Sequence, residues 1–181
     1  MISFYLSLLD TPEEKSMFEQ LYRLNRQDMY KRAYGILKNK YDTEDAVHEA
    51  FMRVMKNLTK ISEIDCPQTH AYLLIIVKNV ALKIIKKRTK TVVVDVETVE
   101  ITDDFELEEY VISNMEVERL KNILEQLSDE YYEVLFLELF MEFNISEIAE
   151  QLGLTYDNTK KRIQRAKKKF REIAEEKENV K

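Results

Sequence analysis

Residues 145–170 read ISEIAEQLGLTYDNTKKRIQRAKKKF, and this stretch decides the fold of the C-terminal part of the chain. Ser146 is placed to cap a short helix whose Ile148, Ala149 and Leu152 face inward, and Ala149 is small enough to let a second helix approach closely. Gly153 suits the left-handed residue that ends such a helix, because it has no Cβ to clash there. Thr155 then caps a second helix, in which Thr159, Ile163, Ala166 and Phe170 recur at i, i+4, i+7 and i+11 and form a buried stripe. The helical step of about 100° projects Asp157, Lys161, Gln164, Arg165 and Lys168 from the opposite side. A short capped helix, a glycine turn and a basic second helix make a helix-turn-helix, whose second helix enters the major groove of DNA. Asp157, Asn158, Lys161 and Gln164 are the expected base readers, and Lys160, Arg162 and Arg165 are expected on phosphates; Tyr156 and Lys168 complete the set. A solvated basic helix in an ordinary bundle is the alternative that this helix alone leaves open.

Working outward, the charge is strongly segregated. The total is −6, but residues 160–171 hold eight cations and no acid, and residues 78–90 hold six cations and no acid. Between them, residues 92–118 hold ten acids and no base. An acidic, self-repelling stretch that buries little reads as a connector, placed here at 91–113 despite the short valine-rich run at its start. The expected organisation is a helical domain over 1–90, the acidic linker, and the helix-turn-helix domain over 114–176.

Four helices are expected before the linker. One spans about 13–24 after Thr11 and Pro12, and one about 27–38. A third follows Asp42 as N-cap, with Ala46, Val47, Ala50, Phe51, Val54 and Leu58 as its stripe. The fourth covers about 68–88 and buries Ala71, Leu74, Ile75, Ala81, Leu82 and Ile85. After the linker, ERLKNILEQL forms one amphipathic helix, and Ser128 caps a buried one containing YYEVLFLELFMEF. The fold class is therefore all-α, in two small helical domains.

The basic end of the fourth helix, Lys78, Lys83, Lys86, Lys87 and Arg88, is compatible with a solvated face. His70, Tyr72 and Asn79 beside it add groups that stack on or bond to unstacked bases while cations hold the backbone, although Tyr72 equally suits a core.

Composition excludes several classes. Two glycines and two prolines in 181 residues argue against a hairpin-rich β fold and favour helices. One cysteine, Cys66, and two histidines, His48 and His70, supply neither a disulfide nor a Cys/His zinc cage. No phosphate-cradling glycine loop and no nucleophile paired with a base is present, so no enzyme, metal or cofactor is expected. No apolar run reaches the ~18 residues of a membrane span, and the N-terminal MISFYLSLLD lacks the basic start and small-residue cleavage site of a secretory signal. A cytoplasmic protein without membrane insertion is expected.

At this point the sequence resembles a known family. YDTEDAVHEAFMRVMKNL (41–58) is similar to region 2.2 of the sigma-70 family of bacterial RNA polymerase sigma factors, extracytoplasmic-function type. AYLLIIVKNVALKIIKKR (71–88) is similar to its regions 2.3 and 2.4, and residues 124–172 to its region 4. The resemblance implies a transcription initiation factor. Its region 2 binds the clamp helices of core polymerase through the helix carrying Asp45, Glu49, Phe51 and Arg53, and opens the minus-10 element with the helix carrying His70 to Arg88. Its region 4 reads the minus-35 element and touches the polymerase flap. The family is often restrained by an anti-sigma factor. The chain has Tyr72 where the family often has tryptophan, Ser128 where proline is common and Thr159 where valine is usual. Two other readings stay open: an operator-binding helix-turn-helix regulator, and a helical interaction protein whose basic faces meet acidic partners.

Overall fold

The computed structural model describes residues 2–91 and 122–178, which fall in two separate units. The expected linker at 91–113 lies outside the described residues, except for Thr91 at the end of a helix. Among the described residues there are helices and turns and no strand, so the all-α expectation holds.

The first unit opens with α1 (Ile2–Ser7), which the sequence reading did not anticipate. Its anchor is Tyr5, fully buried among Phe18, Tyr22 and Phe51, with its hydroxyl 2.7 Å from Nδ1 of His48. The two helices expected at 13–24 and 27–38 are one, α2 (Pro12–Leu37). Nothing between residues 24 and 27 breaks a helix: Asn25 points inward and its side-chain N–H donates to the Leu21 carbonyl at 2.9 Å, leaving the backbone ladder intact. The start is as expected, with Thr11 and Glu14 forming a reciprocal capping box, and Lys38 ends the helix at φ 50°.

Helix α3 (Lys40–Lys56) begins earlier than expected, because Asn39 and not Asp42 is its N-cap: Asn39 Oδ1 accepts the Asp42 N–H at 3.1 Å. Asp42 instead turns its carboxylate to Arg88. The expected stripe of α3 is buried. After a short 3-10 turn (Leu58–Lys60), α4 (Pro67–Thr91) packs against both α2 and α3. Residues 71–78, 80 and 81 of α4 are buried, whereas Leu82 and Ile85 are half-exposed.

In the second unit, residues 122–127 of the expected ERLKNILEQL helix are described: a helical turn at 122–124 buries Ile123 and Leu124, and the helix gives way to a turn at 125–127, where Leu127 is also buried. Helix α5 (Asp129–Leu139) follows Ser128, whose hydroxyl makes no capping bond. The helix stops before MEF, where Glu142 adopts φ 52° and Phe143 N–H reaches back to the Leu137 carbonyl at 3.0 Å. Then come α6 (Ile145–Leu152) and α7 (Tyr156–Glu178), both packed on α5 and on each other.

Candidate nucleic-acid interface

The α6–α7 pair is built by its caps. Asn144, not Ser146, is the N-cap of α6: its Oδ1 accepts the N–H groups of Ser146 at 2.9 Å and Glu147 at 3.1 Å, and the Glu147 carboxylate accepts the Asn144 N–H at 2.7 Å. Two donors at the helix start are thereby satisfied by one amide, so the hydroxyl of Ser146 has no such work to do. Gly153 sits at φ 67°, and the next N–H, from Leu154, closes back on the Ala149 carbonyl at 2.9 Å. Thr155 Oγ1 then accepts the Asn158 N–H at 3.3 Å and starts α7.

Helix α7 is divided much as the sequence implied. Thr159, Ile163 and Ala166 are buried and Ile173 extends the stripe, whereas Phe170, expected in it, is only half-buried. The buried hydroxyl of Thr159 would be costly if left alone; it donates to the Thr155 carbonyl at 3.0 Å. Tyr156, Asp157, Asn158, Lys160, Lys161, Gln164, Arg165 and Lys168 are all exposed. Arg162 is the exception. It flanks the buried stripe, is 23% exposed, and its guanidinium lies 3.3 Å from the Glu130 carboxylate of α5. Lys167, on the other flank, donates to Glu138 of α5 at 2.8 Å.

In the first unit the expected site residues divide. Tyr72 is fully buried, and burial pushes its phenol pKa far up, against the nearby Arg53 charge. It is a core residue, so the expectation that it stacks on bases is corrected. Lys78 is 8% exposed and likewise inside. His70 is held with Nδ1 2.9 Å from Asn25 Oδ1, and the Asn79 side chain donates to the Ile75 carbonyl at 2.9 Å. Lys83, Lys86, Lys87 and Arg88 are exposed. Lys83 lies 3.8 Å from Glu49, and Arg88 pairs with Asp42. On α3, Asp45 is exposed and Glu49 half-exposed, but Phe51 is fully buried against Phe18 and Tyr22, and Arg53 is buried and bonded to Glu49. Phe51 and Arg53 therefore hold α3 in the bundle and offer no docking surface.

The chain matches Sigma-70 region 2 over residues 21–91 and Sigma-70 region 4 over residues 117–170, together more than half its length and in that order. The chain belongs to the sigma-70 family. It is a transcription initiation factor of RNA polymerase, of the extracytoplasmic-function type. RNA polymerase sigma factor SigV of Bacillus subtilis (strain 168) is 28% identical over 148 residues, covering 81% of this chain and 84% of that protein. Two solved structures are similar as well. One is the sigma factor RpoE in complex with the anti-sigma factor NepR from Bartonella quintana, at 21% identity and TM-score 0.39, covering 87% of this chain and 96% of that one. The other is CnrH in complex with the cytosolic domain of CnrY, at 20% identity and TM-score 0.37, covering 87% of each.

In this sigma factor, then, α4 lies in region 2, and α6 and α7 lie in region 4. Sequence reasoning missed Asn144, Glu130 and Glu138. Asn144 stands directly before the helix and was legible from its capping-box partner Glu147 three residues on. The two glutamates meet cations about thirty residues away, and only the fold brings them together. No helix among the described residues is long and apolar enough to cross a membrane.

Proposed function

We propose that this sigma factor binds core RNA polymerase through region 2, directs it to promoters, and assists their opening. Region 4 reads the minus-35 duplex: Asp157, Asn158, Lys161 and Gln164 face base edges beside Tyr156, while Lys160, Arg165 and Lys168 meet phosphates. In region 2 the cations Lys83, Lys86, Lys87 and Arg88 at the open end of α4 hold the minus-10 element, and the acids Asp45 and Glu49 of α3 face the clamp helices. The polymerase supplies the catalytic chemistry, in the cytoplasm, and an anti-sigma protein that covers these faces is the restraint that fits this reading.

The observation that carries the proposal is the separation of α7 into one buried stripe and one exposed basic face behind a glycine turn. A helix that only completed a bundle would need no such concentration of cations and amides on its outer side. An operator-binding regulator would present the same α7, but the region 2 match over residues 21–91 favours partnership with polymerase.

Run-off transcription with core polymerase on fragmented genomic DNA of the source organism tests the proposal. Discrete start sites that appear only when the factor is added are expected. Selective duplex binding without any new transcript would replace the proposal with the operator-binding reading.

A further inference from the structure

Eight cations lie on α7 between residues 160 and 171, and the sequence reading sets Arg162 beside Lys160 and Arg165 as a phosphate contact. The structure separates them. Around the α7 axis, Arg162 and Lys167 stand on opposite flanks of the buried stripe of Thr159, Ile163 and Ala166, at about 60° and 80° from its first residue by the helical step. Each is paired with an acid of α5. Arg162 lies 3.3 Å from Glu130 in the first turn of α5, and Lys167 lies 2.8 Å from Glu138 near its end. The second carboxylate oxygen of Glu138 is buried and accepts no hydrogen bond, so Lys167 is the cation that balances a largely desolvated charge.

We infer that Arg162 and Lys167 are positioning residues, which hold α7 on α5 from both flanks and so fix which side of α7 meets DNA, while Lys160, Lys161, Arg165 and Lys168 supply the contacts to it. Two geometric facts support the division. The paired acids are eight residues apart on α5, about 12 Å along its axis, so the two contacts constrain the crossing of the helices as well as the rotation of α7. Arg162 is turned toward the domain at 23% exposure, whereas Lys168, on the opposite side, is 80% exposed. A rotation of α7 by one helical step, about 100°, would replace every reading residue by its neighbour, so the price of losing the clamp is register, and affinity falls with it.

This inference rests on region 4 reading duplex DNA, and the test separates the two. Holoenzyme reconstituted with the full-length factor is titrated on a duplex promoter fragment at several salt concentrations. Each phosphate contact contributes about −0.9 to the slope of log affinity against log salt. K168Q is expected to lower the slope by about that amount. R162Q and K167Q are expected to leave the slope unchanged while lowering affinity several-fold. The charge swaps E130R/R162E and E138K/K167E are expected to recover binding that R162E and K167E lose, with promoter preference restored. A shallower slope for R162Q or K167Q, or failure of both swaps, overturns the inference, because a cation that touches phosphate cannot be exchanged for glutamate. If K161Q, R165Q and K168Q all leave binding unaltered, the minus-35 reading itself fails and the inference falls with it.

Discussion

Helices α4 and α7 look alike in sequence, each a long helix with a cluster of cations, in the second half of α4 and from the second turn onward in α7, and the fold uses them in opposite ways. Helix α7 rests on α5 and α6 through one stripe and its two ion-paired flanks, and its outer side is left to carry function. Helix α4 lies between α2 and α3, and its first half is buried on nearly every side, so residues 71–78 include no outward face at all. Only its last turns emerge. Charge in a helix marks a binding face where one side is packed; where two sides are packed, the same kinds of residue are drawn into the core or into ion pairs.

The sharpest way to break this comparison is at Tyr72. If the ring is core, Tyr72→Ala leaves a cavity in region 2 and costs about 3–5 kcal/mol of stability, as large aromatic truncations do. Urea unfolding of the factor is the measurement. A variant that keeps its unfolding midpoint but loses promoter opening would return Tyr72 to the DNA and dissolve the contrast between the helices.

What the sequence showed of each region follows from the same packing. In α7 the exposed set is legible, Arg162 apart, because a 3.6-residue stripe of Thr159, Ile163 and Ala166 defines its own opposite. In α4 the run AYLLIIVKNVAL has no polar side from which to choose, so Tyr72 and Lys78 could not be told from surface residues by periodicity. Phe51 belongs by sequence both to the α3 stripe and to the docking face that the resemblance implies; burial decides for the stripe. The fusion of two expected helices into α2 has a local cause as well: the side-chain N–H of Asn25, a residue that often breaks helices, is satisfied within its own helix, and its Oδ1 meets His70 of α4. Pairings across the fold, Asp42 with Arg88 and Glu130 with Arg162, were not legible at all, since no local pattern encodes them.

A second test sharpens the comparison on the α7 side. Lys161 is exposed and far from the buried stripe, so Lys161→Ala should change stability by no more than about 0.5 kcal/mol. At a base-reading position it should cost about 1–3 kcal/mol of discrimination. Selection of minus-35 sequences by the variant holoenzyme, run beside the unsubstituted factor, gives both the affinity and the preference. Weaker binding with the same preferred sequence would move Lys161 from the bases to the phosphates.

The smallest expected effect concerns how α7 is presented. Asn144 Oδ1 caps two N–H groups of α6, and the exposed Ser146 beside it caps none, although both residue types suit that role. Asn144→Ala should therefore cost about 1 kcal/mol, while Ser146→Ala should be near neutral, read from thermal unfolding of the two variants. The helix that Asn144 caps is one of the two that α7 rests on, so fraying its first turn loosens the support without touching the DNA-facing side. Minus-35 preference should accordingly survive in Asn144→Ala with only a modest loss of affinity. The opposite ranking of the two variants would mean that the cap shifts two residues along, with Ser146 starting the helix as its sequence position suggests.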